Sequence, residues 1–163
     1  MSFIQSTYGT PNAPGNFEVV LLQGNNLVHY YRDNSSTGGE KWHGPTATIS
    51  SKATAPGCII QSSYSTPDAP GNFEVVVLEG KNLVHYYRDN SSAGGEKWHG
   101  PTAAISSKAT GPGTIIQTSY STPSAPGNLE VIVPEGKNWV HYYRDDSASG
   151  GQEWHLGAVI AST

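Results

Sequence analysis

Tryptophan, arginine and glutamate recur at intervals of 56 residues: Trp42, Trp98 and Trp154; Arg32, Arg88 and Arg144; Glu18, Glu74 and Glu130. An indole face stacks on the C–H patches of a sugar, a guanidinium forks onto paired oxygens, and a carboxylate accepts from hydroxyls. These nine residues are therefore the candidate carbohydrate-binding set. Packing is the competing role for the aromatics, which would then be core residues held in every repeat. Glu18 is the only charge in the run FEVVLL. Burying it without a partner would cost several kcal/mol, so it must pair or face solvent at a pocket. Arg32, on the neighbouring strand, is its expected partner, and such a pair would be structural.

Other chemistry is poorly represented. His29 and His43 and their equivalents give six histidines, two per repeat. Zinc needs three or four convergent ligands, and neither paired cysteines nor a helical His-x3-His pattern supports them, so no metal is expected. The loop DNSSTGGE lacks the alternating ligands and the closing glutamate of a calcium loop and reads as a solvated turn. Cys58 is the only cysteine, aligns with Thr114, and reads as a small strand residue. No nucleophile elbow, phosphate loop, Cys/His pair or paired carboxylates occur. An enzyme is not expected, nor is a cofactor. A net charge of −4 without a basic block argues against nucleic acid as a partner.

The elements that must carry these residues are strands. IQSTYGTPNAPGNFEVV, IQSSYSTPDAPGNFEVV and IQTSYSTPSAPGNLEVI begin at Ile4, Ile60 and Ile116. Residues 3–57 and 59–113 differ at 10 of 55 positions. The repeat units are 2–57, 58–113 and 114–163. Within the first, Phe3 to Tyr8 is β-prone and closes on a Gly/Pro/Asn turn cluster. Phe17 to Leu22 is apolar on both faces, as a strand covered on both sides must be. Gln23-Gly24-Asn25-Asn26 forms a hairpin turn into Leu27 to Arg32. Lys41 to His43, continued after Gly44-Pro45 by Thr46 to Ile49, gives a bent fourth strand. Trp139, replacing Leu27 and Leu83, reads as a local filler.

Four short strands per repeat, with a Trp at a fixed place, predict an all-β chain of three four-stranded β-propeller blades. A β-trefoil also has three repeats, but its units are shorter, and a β-prism or other sandwich is a further alternative. Propellers close with about 4–8 blades, so three form an open arc exposing two apolar blade faces. The expected remedy is a ring closed by homo-oligomerisation, a dimer giving six blades in preference to a trimer giving nine. The third repeat ends in HLGAVIAST against HGPTAAISS, as a terminal repeat meeting a different neighbour would. MSFIQSTY has no basic region followed by an apolar run, and no stretch approaches the ~18 apolar residues of a membrane span. Cytoplasmic location is the default, leaderless export the alternative.

The order I-Q-S, G-N-F-E-V-V, L-V-H-Y-Y-R-D-N, W-H-G-P resembles the repeats of bacterial and fungal lectin propellers, the group of the Psathyrella velutina and Photorhabdus lectins. The resemblance covers nearly the whole chain. It implies sugar pockets between adjacent blades, glycans as partners and no catalytic activity. Two departures are the smaller number of blades per chain and the missing calcium-loop pattern of the fungal members. The near-identity of the repeats also fits a structural alternative, a symmetric self-assembling propeller fragment, natural or engineered, without a selected ligand.

Overall fold

The computed structural model describes residues 1–64, 69–120, 125–146 and 152–162. Among these residues every regular element is a β-strand, as the repeat pattern predicts. In the first repeat β1 (Ser2–Gln5), β2 (Phe17–Gln23), β3 (Asn26–Arg32) and β4 (Trp42–Ser50) form an antiparallel sheet in sequence order. The second repeat builds the same meander from β5 (Cys58–Gln61), β6 (Phe73–Glu79) and β7 (Asn82–Arg88), but its outer strand is split into β8 (Trp98–His99) and β9 (Ala104–Ser106), both paired to β7. β10 (Thr114–Gln117), β11 (Leu129–Glu135), β12 (Asn138–Arg144) and β13 (Trp154–Ser162) form the third sheet.

The hairpin between β2 and β3 sets everything downstream of it. Gly24 has φ +60°, a conformation glycine adopts without a Cβ penalty, and the tight turn pairs Gln23 with Asn26. Counting back along the ladder places Phe17 opposite Arg32, Glu18 opposite Tyr31, Val19 opposite Tyr30 and Val20 opposite His29. Residues opposite one another share a face of the sheet. One face therefore carries Phe17, Val19, Tyr30 and Arg32, and the other carries Glu18, Val20, His29 and Tyr31. The expected Glu18–Arg32 pair does not form, because the two side chains leave opposite faces. Arg32 instead bonds Glu40 and Asn34 of its own loop. Trp42 lies opposite Arg32 across β3 and β4, so Trp and Arg share a face and Glu does not.

Both faces are apolar enough to require cover, and the sheets supply it to one another. Val20 and Leu27 of the first sheet pack against Ile59, Phe73, Val75 and Val77 of the second. Val76, Leu78 and Leu83 of the second pack against Ile115, Leu129, Val131 and Val133 of the third. Each junction thus sets the glutamate face of one repeat on the arginine face of the next. Burying a side chain of this size is worth about 1.5–3 kcal/mol. Trp139 is 44% exposed on the uncovered face of the third sheet, where Leu27 and Leu83 at the same repeat position are 0% exposed beneath a neighbour.

The junctions are also stitched by polar groups. The Thr7 amide donates to Gln61 Oε1 at 2.7 Å, and Gln61 Nε2 donates to Thr7 Oγ1 at 3.0 Å. Ser63 and Gln117 repeat the clip at 2.7 and 3.0 Å. The linker from β4 to β5 runs close between two sheets: a Cβ on Gly57 would lie 2.7 Å from Leu27 Cδ2 and 3.1 Å from the Val76 carbonyl oxygen. Ser50 of the first repeat donates to Glu79 of the second, which also accepts from Tyr86 Oη at 2.8 Å.

Burial first, and then that bond to Glu79, push the Tyr86 phenol up to about 12. A phenol raised above its unfolded value of about 10 stabilises the fold fully below pH ~10, and that contribution is lost as pH climbs towards 12. The melting temperature should fall over this window. Tyr86→Phe should lose less of it than the unsubstituted chain, as thermal melts followed by circular dichroism at pH 9, 10 and 11 would show.

Candidate functional site

Face-to-face packing leaves a cleft at each of the two junctions. The cleft between the first and second repeats has a volume of about 370 Å³, with Tyr8, Asn16, Glu18, Tyr31 and Thr46 on one wall and Arg88 on the other. Between the second and third repeats the volume is about 490 Å³, and Tyr64, Asn72, Glu74, Tyr87 and Thr102 face Arg144. Every residue of the second set stands 56 positions after its counterpart in the first. Both volumes fall in the range of small-molecule sites, about 300–1,000 Å³.

Of the nine residues singled out by type and spacing, Glu18 and Arg88 meet in the first cleft, and Glu74, Arg144 and Trp154 meet in the second. The sets are composite: glutamate comes from one repeat, arginine and tryptophan from the next. Trp98 does not line the first cleft; it sits edge-on to His29 with centroids 5.6 Å apart and packs on the apolar core. Trp154 takes the equivalent position against His85 at 5.9 Å. Arg32 and Trp42 stand on the outward face of the first sheet, and Glu130 on the outward face of the third, so none of these three lies in a junction cleft.

The glutamates are already engaged at the base of each cleft. Glu18 accepts from Ser6 Oγ at 3.0 Å and lies 2.8 Å from His29 Nε2, with 1% of its side chain exposed. Glu74 repeats this with Ser62 at 2.8 Å and His85 at 2.7 Å. His29 Nδ1 lies 2.8 Å from Thr46 Oγ1, which is also 3.2 Å from the His29 carbonyl oxygen. This hydroxyl–imidazole–carboxylate chain orients the histidine. In the second repeat the Thr102–His85 separation is 3.3 Å, and in the third Ala158 replaces the threonine. Histidine, considered at the sequence level only as a metal ligand, is thus the partner that lets the strand bury its carboxylate. The signal was available: Val20 lies opposite His29, which puts His29 on Glu18's face.

Above that base, arginine of one repeat meets tyrosine of the preceding one. Arg88 stacks over Tyr8 at 5.0 Å and over Phe73 at 5.5 Å, and Arg144 stacks over Tyr64 at 5.5 Å. Burial lowers the Arg88 pKa, opposed chiefly by the Glu18 carboxylate across the junction. Burial, followed by the Asp146 carboxylate, raises the Tyr64 phenol. Glu96 fixes Arg88 at 2.9 Å and accepts from Tyr8 of the preceding repeat. Tyr31 and Tyr87 stack flat on His43 and His99, centroids 4.9 Å apart in both cases. Asn16, Tyr8 and their equivalents escaped notice because they sit in or beside turn-rich segments, where polar residues carry no distinctive pattern. Among the described residues no three His, Cys, Asp or Glu side chains converge as a metal site requires.

No protein-family model, curated protein or solved structure matches the chain.

His85→Ala should leave Glu74 buried without its partner and cost about 3–5 kcal/mol. Adding Glu74→Gln should recover part of the loss, because the buried charge is then gone. Urea denaturation of the single and double variants checks this; a double variant no better than the single would assign the cost to the lost ring.

Proposed function

We propose that the three sheets are blades of a β-propeller and that the chain is a multivalent carbohydrate-binding protein, a lectin without catalytic activity. The observation that carries this reading is the recurrence of one cleft, built from equivalent residues at two successive junctions. Packing alone requires apolar residues to repeat at a junction. It does not require an open cleft lined by tyrosine, asparagine, threonine and arginine.

The chemistry suits vicinal hydroxyls. Tyr31 and Tyr87 offer hydroxyls, Asn16 and Asn72 offer amides, and Arg88 and Arg144 offer forked donors. Glu18 and Glu74 act from below by holding His29 and His85. Trp98 and Trp154 support the walls from behind, and Trp154 also borders its cleft. Each cleft alone would bind a sugar weakly. Two or more on one particle raise the effective affinity by up to about 10²–10⁴-fold when they engage a glycan surface together.

A glycan array tests the reading directly: binding to at least one sugar class is expected. No binding at high protein concentration would sink it and favour a self-assembling scaffold without a ligand. For a glycan that binds, Arg88→Lys with Arg144→Lys keeps the charge and removes the fork. At least a tenfold loss of binding is expected, equivalent to about 1.4 kcal/mol, with the melting temperature held. A large fall in melting temperature would instead make the arginines structural.

A further inference from the structure

The two outer faces of the three-sheet stack are the two halves of its internal junctions. On the first sheet Phe3 is 55% exposed, whereas Ile59 and Ile115 at the same repeat position are 1% and 2% exposed beneath a neighbour. Phe17 is half-buried where Phe73 and Leu129 are fully buried, and Trp42 is 51% exposed. On the third sheet the complementary set is uncovered. Ile116 is 57% and Tyr120 80% exposed, while Ile4 with Tyr8 and Ile60 with Tyr64 pack against the next repeat's core. The His141 side chain is 31% exposed, against 3% for His29 and 0% for His85.

The polar stitching stops at the same places. Gln61 and Gln117 each clip the amide and hydroxyl of residue 7 or 63 in the preceding repeat. Gln5, at their position, keeps only the bond to Gly15 of its own repeat among the described residues, and it is exposed. Ser119, equivalent to Thr7 and Ser63, is exposed as well. A cleft of about 840 Å³ opens on the third sheet beside Tyr120, Asn128, Glu130 and Tyr143. It has the glutamate wall of the internal clefts and lacks the arginine wall. Arg32, with Trp42 beside it, is an arginine wall without a glutamate partner.

We propose that the third sheet of one chain docks on the first sheet of a second copy, and the reverse, so that two chains close a six-bladed ring. Each new junction repeats the internal ones. Gln5 of the second copy clips Ser119, its Trp42 covers His141, and its Arg32 stacks on Tyr120 above Glu130. Two more composite clefts arise that neither copy contains alone. The occupant is a second copy because two internal junctions already show this pair of faces, residue for residue, in contact. Two copies are favoured because six blades lie within the usual 4–8 and two-fold assemblies are the commonest. Exposed apolar faces of this extent are otherwise rare on monomers. The assembly stands whether or not the clefts bind sugar.

Light scattering on the unsubstituted chain at about 10 μM should give a mass of about 35 kDa, twice the 17.3 kDa chain. Ile116→Lys blocks one face and Phe3→Lys the other; both side chains are exposed within the single chain, so circular dichroism should be unchanged. Each variant alone should be a monomer, and an equimolar mixture should form a two-chain species through the one intact pair of faces. A monomeric unsubstituted chain at 100 μM overturns the proposal, and a three-chain mass overturns the two-copy ring. If either variant alone still dimerises, the contact joins like faces and the proposal fails.

Discussion

A sheet that is apolar on both sides cannot stand alone in water, and each of these sheets is of that kind. Val20 and Leu27 look one way, Phe17 and Val19 the other, and no helix or long loop among the described residues covers either side. Among the described residues the cover for each sheet is another copy of the same sheet. From this requirement follow the stacked order of the repeats, the short linkers threaded between them and the burial gradient from middle to ends. Val75 and Val76 of the central repeat point to opposite faces and are 0% and 1% exposed, because that repeat has neighbours on both faces.

Within this apolar stack the glutamate–histidine pairs are costly, since charges or strong dipoles removed from water must find partners. They sit at the cleft end of each junction, not in its middle. The Ser6 and Ser62 hydroxyls bond one carboxylate oxygen and the imidazole meets the other, so that each oxygen has a partner. These bonds hold the floor of each cleft in one arrangement. The tyrosine and arginine above it are consequently held at fixed spacing, which is what a preorganised polar pocket needs.

Strand order was readable because turn residues and apolar alternation recur three times in step. Glu18 was readable as special because it interrupts FEVVLL. What went astray was the pleat. The two-residue turn at Gly24-Asn25 makes opposite residues sum to 49, so Phe17 faces Arg32 and Glu18 faces Tyr31. Treating Glu18 and Arg32 as one face amounts to a one-residue slip, which moves a side chain across the sheet. The cleft partners were harder still. Glu18 meets Arg88 across 70 residues of sequence, and only stacking of one repeat on the next brings them together. The exposure of Trp42 beside the cover over Trp98 is likewise a property of position in the stack, invisible in three identical letters.

The third repeat shows how such a junction can drift. Arg32 and Arg88 are tethered by Glu40 and Glu96 on their loops. At position 152 the loop carries glutamine, and position 146 carries Asp where the other repeats have Asn34 and Asn90. Arg144 accordingly bonds Asp146 at 2.7 Å, a carboxylate whose side chain is 0% exposed. The counter-charge has migrated from the far end of the loop to a site two residues beyond the strand. Arg144 is therefore anchored by a residue that adjoins its own strand, and its place in the wall no longer depends on which side chain stands at position 152.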